Sequence, residues 1–177
     1  TIARSGKDLV LSIDMRLQNL AYRELKGAMR RVGAKSGSVV MLDSATGEVL
    51  AMVNQPSFNP NNRRALKPNT MRNRAMTDVF EPGSTVKPLT VVAALETGRY
   101  RPSTIIDTSP GYIRVGKKTL PDPVNYGAID VTKILTKSSQ VGISKLALDL
   151  DEQSVWEVFS RFGLGISTGS GFPGESA

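Results

Sequence analysis

The sequence of 177 residues predicts a mixed α/β (α+β) fold, in which an antiparallel sheet packs with helices. Three observations lead to this fold class. A helical period of apolar residues lies near the N-terminus, a hairpin pattern follows it, and several short helical patterns occupy the second half of the chain. The length fits a single domain.

The first helix and the hairpin are the clearest elements of the N-terminal half. Apolar residues recur at spacings of three and four over 17–32, with Asp14 as a suitable N-cap and Gly33 as a suitable stop. Two short apolar runs, 38–43 and 48–53, surround a glycine-containing turn and predict a β-hairpin.

The second half begins after a long irregular stretch, 54–83, which is unusual in a compact domain and often functional. A helical pattern then runs from Ser84 to about Thr97, and Trp156 and Phe159 are expected in the core. The remaining predicted elements are a small hairpin, 112–115 with 118–120, and helices over 129–137, 141–150 and 153–162.

The composition excludes several kinds of chemistry. The chain has no Cys and no His, which removes thiol nucleophiles, thiolate metal sites and the Ser-His-Asp triad. A net charge of +7, from 23 basic against 16 acidic residues, suits an anionic partner such as an acidic wall polymer. The charges are scattered and not interleaved with aromatics, so direct binding of nucleic acid is not expected.

Ser84 and Lys87 are the candidate catalytic pair. Positions i and i+3 share one face of a helix, about 5–6 Å apart at Cβ. A serine hydroxyl needs an adjacent base, and a lysine whose pKa is lowered can supply one. The same spacing also arises from a helix N-cap serine followed by a solvated lysine, so the pair alone leaves both readings open.

The surrounding sequence makes the acyl-transfer interpretation specific. The run 71–88 resembles the segment around the nucleophile of class B penicillin-binding proteins, above all the septal, or cell-division, transpeptidases of Gram-negative bacteria. Further likeness covers nearly the whole chain, including Leu9 to Asp14, Asn59 to Asn62 and Phe172 to Glu175. The resemblance implies the penicillin-binding protein and serine β-lactamase-like transpeptidase fold.

The resemblance also implies roles for the second motif, Ser-x-Asn, at the position of Ser138, Ser139 and Gln140. Ser138 would be catalytic and relay a proton between Lys87 and the leaving amine, and Ser139 and Gln140 would bind substrate. Gln140 replaces the expected Asn; its amide has the same donors and acceptors, one methylene further out.

The third motif of the family, Lys-Ser/Thr-Gly on a strand, does not occur in these residues. We therefore expect residues 1–177 to be the N-terminal part of a single transpeptidase domain, with that strand beyond residue 177 and the sheet incomplete. The chain opens on Thr1 without a signal peptide or a run of about 18 apolar residues. We expect a membrane anchor upstream and, for these residues alone, no activity.

The implied activity is that of a peptidoglycan D,D-transpeptidase, which cross-links stem peptides through an acyl-enzyme on Ser84 and is the target of penicillin and other β-lactams. The resemblance implies no metal and no cofactor. It places the protein in the bacterial inner membrane, facing the periplasm, with cell-division proteins as partners, among them a membrane glycosyltransferase.

Three alternatives remain open from the sequence. A divergent paralogue could bind β-lactam on Ser84 but cross-link weakly because of Gln140. A division scaffold could carry a vestigial site. A β-lactamase-like hydrolase is disfavoured, because nothing in the sequence resembles the glutamate loop that such enzymes use for deacylation.

Overall fold

A computed structural model describes residues 6–62, 64 and 66–175 of the chain. These residues fall into two compact units. The first unit extends to Val79 and includes the segment from Gly171, and the second unit runs from Phe80 to Ser170. Among the described helices, none is both long enough and apolar enough to cross a membrane.

The first unit is a long helix on one face of a hairpin. Its elements are α1 (Met15–Val32), β1 (Gly37–Leu42), β2 (Val49–Gln55), α2 (Pro68–Met71) and α3 (Arg74–Thr77). The Asp14 carboxylate accepts from the first backbone N–H groups of α1, and Gly33 ends the helix in the left-handed conformation. The predicted helix with its two caps and the predicted hairpin are confirmed.

Side chains of α1 pack on the inner face of the hairpin, where Ala21, Ala51 and Val53 form the buried core of the first unit. Gln18 also closes part of the outer edge of β2. Its side-chain amide donates to the Met52 carbonyl and accepts from the Met52 N–H, both at 2.9 Å. A side chain thus takes the place of a neighbouring strand at this edge.

The long predicted loop contains two short helices, α2 and α3, within the first unit. Arg72 and Arg74 both form ion pairs with Asp78, at 2.9 and 3.0 Å. The two arginines therefore stabilise the end of this segment, which precedes Ser84 in the sequence.

The second unit is a helical cluster with two pairs of short strands. Its elements are a 3₁₀ turn (Gly83–Val86), α4 (Lys87–Glu96), β3 (Ile105–Asp107), β4 (Tyr112–Val115), β5 (Lys118–Pro121), β6 (Ala128–Asp130), α5 (Val131–Thr136), α6 (Gln140–Asp149) and α7 (Glu152–Arg161). The predicted small hairpin is β4–β5, and the antiparallel pair β3–β6 was not predicted. In the described part of the chain, the strands form three separate two-stranded antiparallel sheets.

The core of the second unit lies where α4, α5, α6 and α7 meet. Val131, Ile134, Leu146 and Val158 are fully or almost fully buried there. Trp156 is 62% exposed, so its predicted place in the core is wrong. The reason is that α7 packs through Val158 and the partly buried residue three positions before it, which leaves position 156 on the solvent side.

Gly142 marks the tightest approach in this core. A Cβ atom at this position would lie 2.6 Å from Cγ1 of Ile134 and 3.1 Å from Oγ of Ser139. Such distances are shorter than van der Waals contact, so a side chain at position 142 would push α6 away from α5.

Substituting Gly142→Ala should destabilise the protein by about 1–3 kcal/mol through overpacking, although alanine favours a helix. The matched control is Gly27→Ala in α1, where the nearest atom to the new Cβ is the flexible end of Arg31 at 3.5 Å. That control should be neutral or stabilising by up to about 1 kcal/mol. Denaturant unfolding measures both; equal midpoints for the two variants would contradict the close packing.

Candidate active site

Ser84 lies on the 3₁₀ turn that immediately precedes α4, and its side chain is exposed. Gly83 enters the turn with φ of 64°, which a residue with a side chain rarely adopts. The Thr85 hydroxyl donates to the Pro82 carbonyl at 2.7 Å and holds the turn closed. The predicted helix from Ser84 therefore begins as a 3₁₀ turn and becomes α-helical at Lys87.

Ser138 joins Ser84 to Lys87. The Lys87 Nζ donates to the Ser138 carbonyl oxygen at 2.6 Å and to the Ser138 Oγ at 3.0 Å. The Ser138 hydroxyl in turn donates to the Ser84 Oγ, also at 3.0 Å. The lysine thus reaches the predicted nucleophile through a second serine, and the three residues form one continuous hydrogen-bond chain.

Lys87 is buried, with 8% of its surface exposed. Burial disfavours the charged ammonium and lowers the pKa of Lys87 below its ordinary 10.5, while the negative charge of Asp122 partly opposes this by raising it. The net direction is downward. A larger share of this lysine is therefore neutral, and able to accept a proton, than of a lysine in water.

Ser138 is held in an uncommon backbone conformation between α5 and α6. Its φ is 53°, the only positive value among the described residues other than glycine. Such a conformation costs about 1–3 kcal/mol and persists only where neighbouring contacts enforce it. Here Ser138 and Ser139 donate their N–H groups to the carbonyls of Leu135 and Ile134, which close the end of α5.

Asp122 binds the start of α6, on the C-terminal side of Ser138. It follows β5, is 8% exposed, and donates its N–H to the Gly111 carbonyl at 2.8 Å. Its carboxylate accepts from the Ser139 hydroxyl at 2.6 Å, from the Val141 N–H at 3.2 Å and from the Gln140 N–H. The carboxylate therefore binds the whole N-terminus of α6.

The sequence did not predict the contact of Asp122 with the start of α6; its only expected place was the rim of the cleft. The contact joins the end of a strand to the start of a helix 17 residues later in the chain. No local spacing encodes such a contact, and only the position of the β4–β5 hairpin beside α6 produces it.

Ser139 requires a correction, because it was predicted to bind substrate. Its side chain is completely buried, and its hydroxyl donates to Asp122 and accepts from the Gly142 N–H at 2.9 Å. No exposed atom remains to contact a substrate. The residue is the N-cap of α6.

Gln140 is the first residue of α6 and lines a cleft together with Ser84, Lys87 and Thr90. The cleft has a volume of about 360 Å³. Within the described residues, both hydrogen bonds of the Lys87 ammonium go to Ser138 and neither goes to Gln140. The predicted residue is thus present at the cleft, but its side chain does not belong to the Ser84–Ser138–Lys87 chain.

An exposed serine connected to a buried lysine, without histidine, is typical of serine acyltransferases that use lysine as the base. Comparison with known proteins agrees. The profile of the penicillin binding protein transpeptidase domain matches residues 37–177. This chain belongs to the penicillin-binding protein transpeptidase family.

Relatives and solved structures support this membership. The peptidoglycan D,D-transpeptidase FtsI of Escherichia coli K12 is 47% identical over 175 residues, which are 99% of this chain and 29% of FtsI. A crystal structure described as a peptidoglycan glycosyltransferase from Burkholderia ambifaria superposes with a TM-score of 0.82 at 38% identity, covering 95% of this chain and 49% of that one. The transpeptidase domain of Burkholderia pseudomallei penicillin-binding protein 3 gives 0.80 at 36% identity, covering 94% and 46%.

Substituting Ser139→Ala should lower stability by about 1–2 kcal/mol, because α6 loses its N-cap and Asp122 loses a donor. The control is Ser144→Ala on the same helix, which should stay within about 0.5 kcal/mol of the parent. Denaturant unfolding gives the comparison. An unchanged midpoint for Ser139→Ala would contradict the structural role.

Proposed function

We propose that the protein containing this chain is a peptidoglycan D,D-transpeptidase, in which Ser84 is the acylated nucleophile. The observation that carries the proposal is the hydrogen-bond chain from Lys87 through Ser138 to Ser84. The name of the FtsI relative, at 47% identity, supports the substrate. Since the chain spans 29% of that relative, the proposal concerns the whole protein.

In the acylation step, the Ser84 oxygen attacks the carbonyl carbon of the penultimate D-Ala of a stem peptide. The hydroxyl proton passes to Ser138, and the proton of Ser138 passes to neutral Lys87. The peptide C–N bond then breaks, and the terminal D-Ala leaves as an amine after receiving a proton back through Ser138. The product of this step is an ester of Ser84.

In the second step the same relay takes its proton from an amine and returns it to Ser84. The amine of a neighbouring stem peptide attacks the Ser84 ester, loses its proton through Ser138 to Lys87, and forms the new cross-link. Ser84 leaves with a proton and is regenerated. One lysine with a lowered pKa serves both steps, because it can accept the proton and return it.

A β-lactam would acylate Ser84 by the same first step, since its strained amide takes the place of the D-Ala peptide bond. Its ring holds the leaving nitrogen in the product, so the ester persists. The proposed protein is thus a target of penicillin, as the family name implies.

We place this reaction in septal wall synthesis, at the periplasmic face of the bacterial inner membrane. The proposed partners are cell-division proteins, including a membrane glycosyltransferase that supplies the glycan strands. The support is the likeness to FtsI along 99% of the chain.

Gln140 supports a second candidate, a divergent penicillin-binding paralogue that is acylated but cross-links weakly or serves as a division scaffold. The observation that favours it is the absence, within the described residues, of a hydrogen bond between the Gln140 amide and the Lys87 ammonium. A shift of about 1 Å in a catalytic group can change a rate on the order of a hundredfold.

The variant Gln140→Asn separates the two candidates. If the parent protein is a working transpeptidase, the variant should change the cross-linking rate by less than about tenfold, measured with purified full-length protein and stem-peptide substrate. A rise in the cross-linking rate on the order of a hundredfold would show that the longer Gln140 side chain slows the reaction. That result would favour the divergent paralogue.

The variant Ser84→Ala should abolish covalent labelling of the full-length protein by a fluorescent penicillin, because the only proposed acyl acceptor is gone. The control Ser154→Ala, on α7, should label like the parent. Labelling of Ser84→Ala at the parent level would contradict the assignment. An unlabelled parent would favour the scaffold, and rapid loss of label from the parent would favour a β-lactamase.

A further inference from the structure

The carboxylate of Asp122 accepts hydrogen bonds from the three residues that follow Ser138, the middle member of the Ser84–Ser138–Lys87 chain. We propose that Asp122 is a positioning residue for the transfer reaction, which fixes the Ser138 hydroxyl through the N-terminus of α6 and acts on Lys87 through its buried charge. The inference rests on the proposed function of Ser84.

The positioning effect of Asp122 follows from three hydrogen bonds that its carboxylate accepts. One carboxylate oxygen accepts from the Ser139 hydroxyl, and the other accepts from the N–H groups of Gln140 and Val141. These donors are the three residues that directly follow Ser138. An anion at this place is also stabilised by the positive end of the α6 dipole.

The tethering matters because Ser138 has a strained backbone. Its positive φ turns both its hydroxyl and its carbonyl toward Lys87, and a relaxed backbone would turn them elsewhere. The end of α5 holds Ser138 from one side, and Asp122 holds the next residues from the other. Loss of the carboxylate would therefore release the relay hydroxyl from its place between Ser84 and Lys87.

The charge effect of Asp122 depends on which other charged groups lie near Lys87. Asp122 acts on the lysine with an attractive charge that raises its pKa, against the effect of burial. Other charged groups on the neighbouring helices are occupied elsewhere: Lys145 donates to the Asp107 carbonyl, Asp149 pairs with Arg99, and Arg161 pairs with Glu96.

Glu81 is exposed and lines the same cleft as Lys87, and Asp130, half-buried, caps α5. The exposed charged side chains on or next to the same helices are Lys133, Lys137, Asp151, Glu152 and Glu157. Exposed charges are screened by water and salt, whereas a buried carboxylate is screened much less. Removing the charge of Asp122 should therefore lower the pKa of Lys87 further.

The positioning effect and the charge effect of Asp122 predict different changes in the pH profile of acylation. Acylation needs neutral Lys87, so its rate rises with pH to a plateau, with a midpoint at the pKa of this lysine. A purely structural loss lowers the plateau and leaves the midpoint in place. Loss of the charge moves the midpoint to lower pH.

The experiment measures the second-order rate of labelling by fluorescent penicillin, as a function of pH, in the full-length protein. We expect Asp122→Asn to lower the plateau by about tenfold or more and to move the midpoint to lower pH. Asp122→Glu keeps the charge but displaces it, so its plateau should fall while its midpoint stays closer to that of the parent. The control Asp107→Asn, at an exposed aspartate, should leave both quantities unchanged.

Three results would overturn the inference: an unchanged plateau in Asp122→Asn, a fall in the plateau with an unchanged midpoint, or equal midpoint shifts in the Asn and Glu variants. Thermal unfolding of each variant identifies the folded fraction to which rates are normalised. Failure of the parent protein to label at any pH is a different result, since it would remove the proposed function itself.

Discussion

The burial of Lys87 is the constraint on which the rest of the site depends. A lysine ammonium is costly to bury, and here its polar partners are the two oxygens of Ser138. The same burial lowers the pKa of the lysine and favours the neutral form that the proposed base requires. In the proposed mechanism Lys87 reaches Ser84 through Ser138, so the position of that one hydroxyl decides whether the exposed serine can be activated.

The helical cluster of the second unit holds Ser138 in place. The end of α5 and the start of α6 meet at Ser138, which has a left-handed backbone conformation. The close approach of Gly142 to Ile134 packs the two helices tightly at this junction. The buried pair of Ser139 and Asp122 secures the start of α6. Strain at Ser138 is thus balanced by the packing and hydrogen bonds of its neighbours.

The parts of the structure that could be predicted are those encoded by neighbouring residues. The caps at Asp14 and Gly33 act within one turn, and the spacing of Ser84 and Lys87 needs only a helical period. Ser138 was found through family resemblance, because its contact with Lys87 joins positions 51 residues apart. The contact of Asp122 with α6 and the burial of Ser139 were not predicted, since the contact depends on where the β4–β5 hairpin lies beside α6.

The most direct test is the titration of Lys87 itself, followed by NMR of lysine labelled with ¹³C at Cε, in the full-length protein. The resonance is assigned by its disappearance in Lys87→Arg. If the buried lysine is the base, its midpoint lies clearly below the ordinary 10.5. A midpoint at or above that value would leave the lysine charged at neutral pH and contradict its role as proton acceptor.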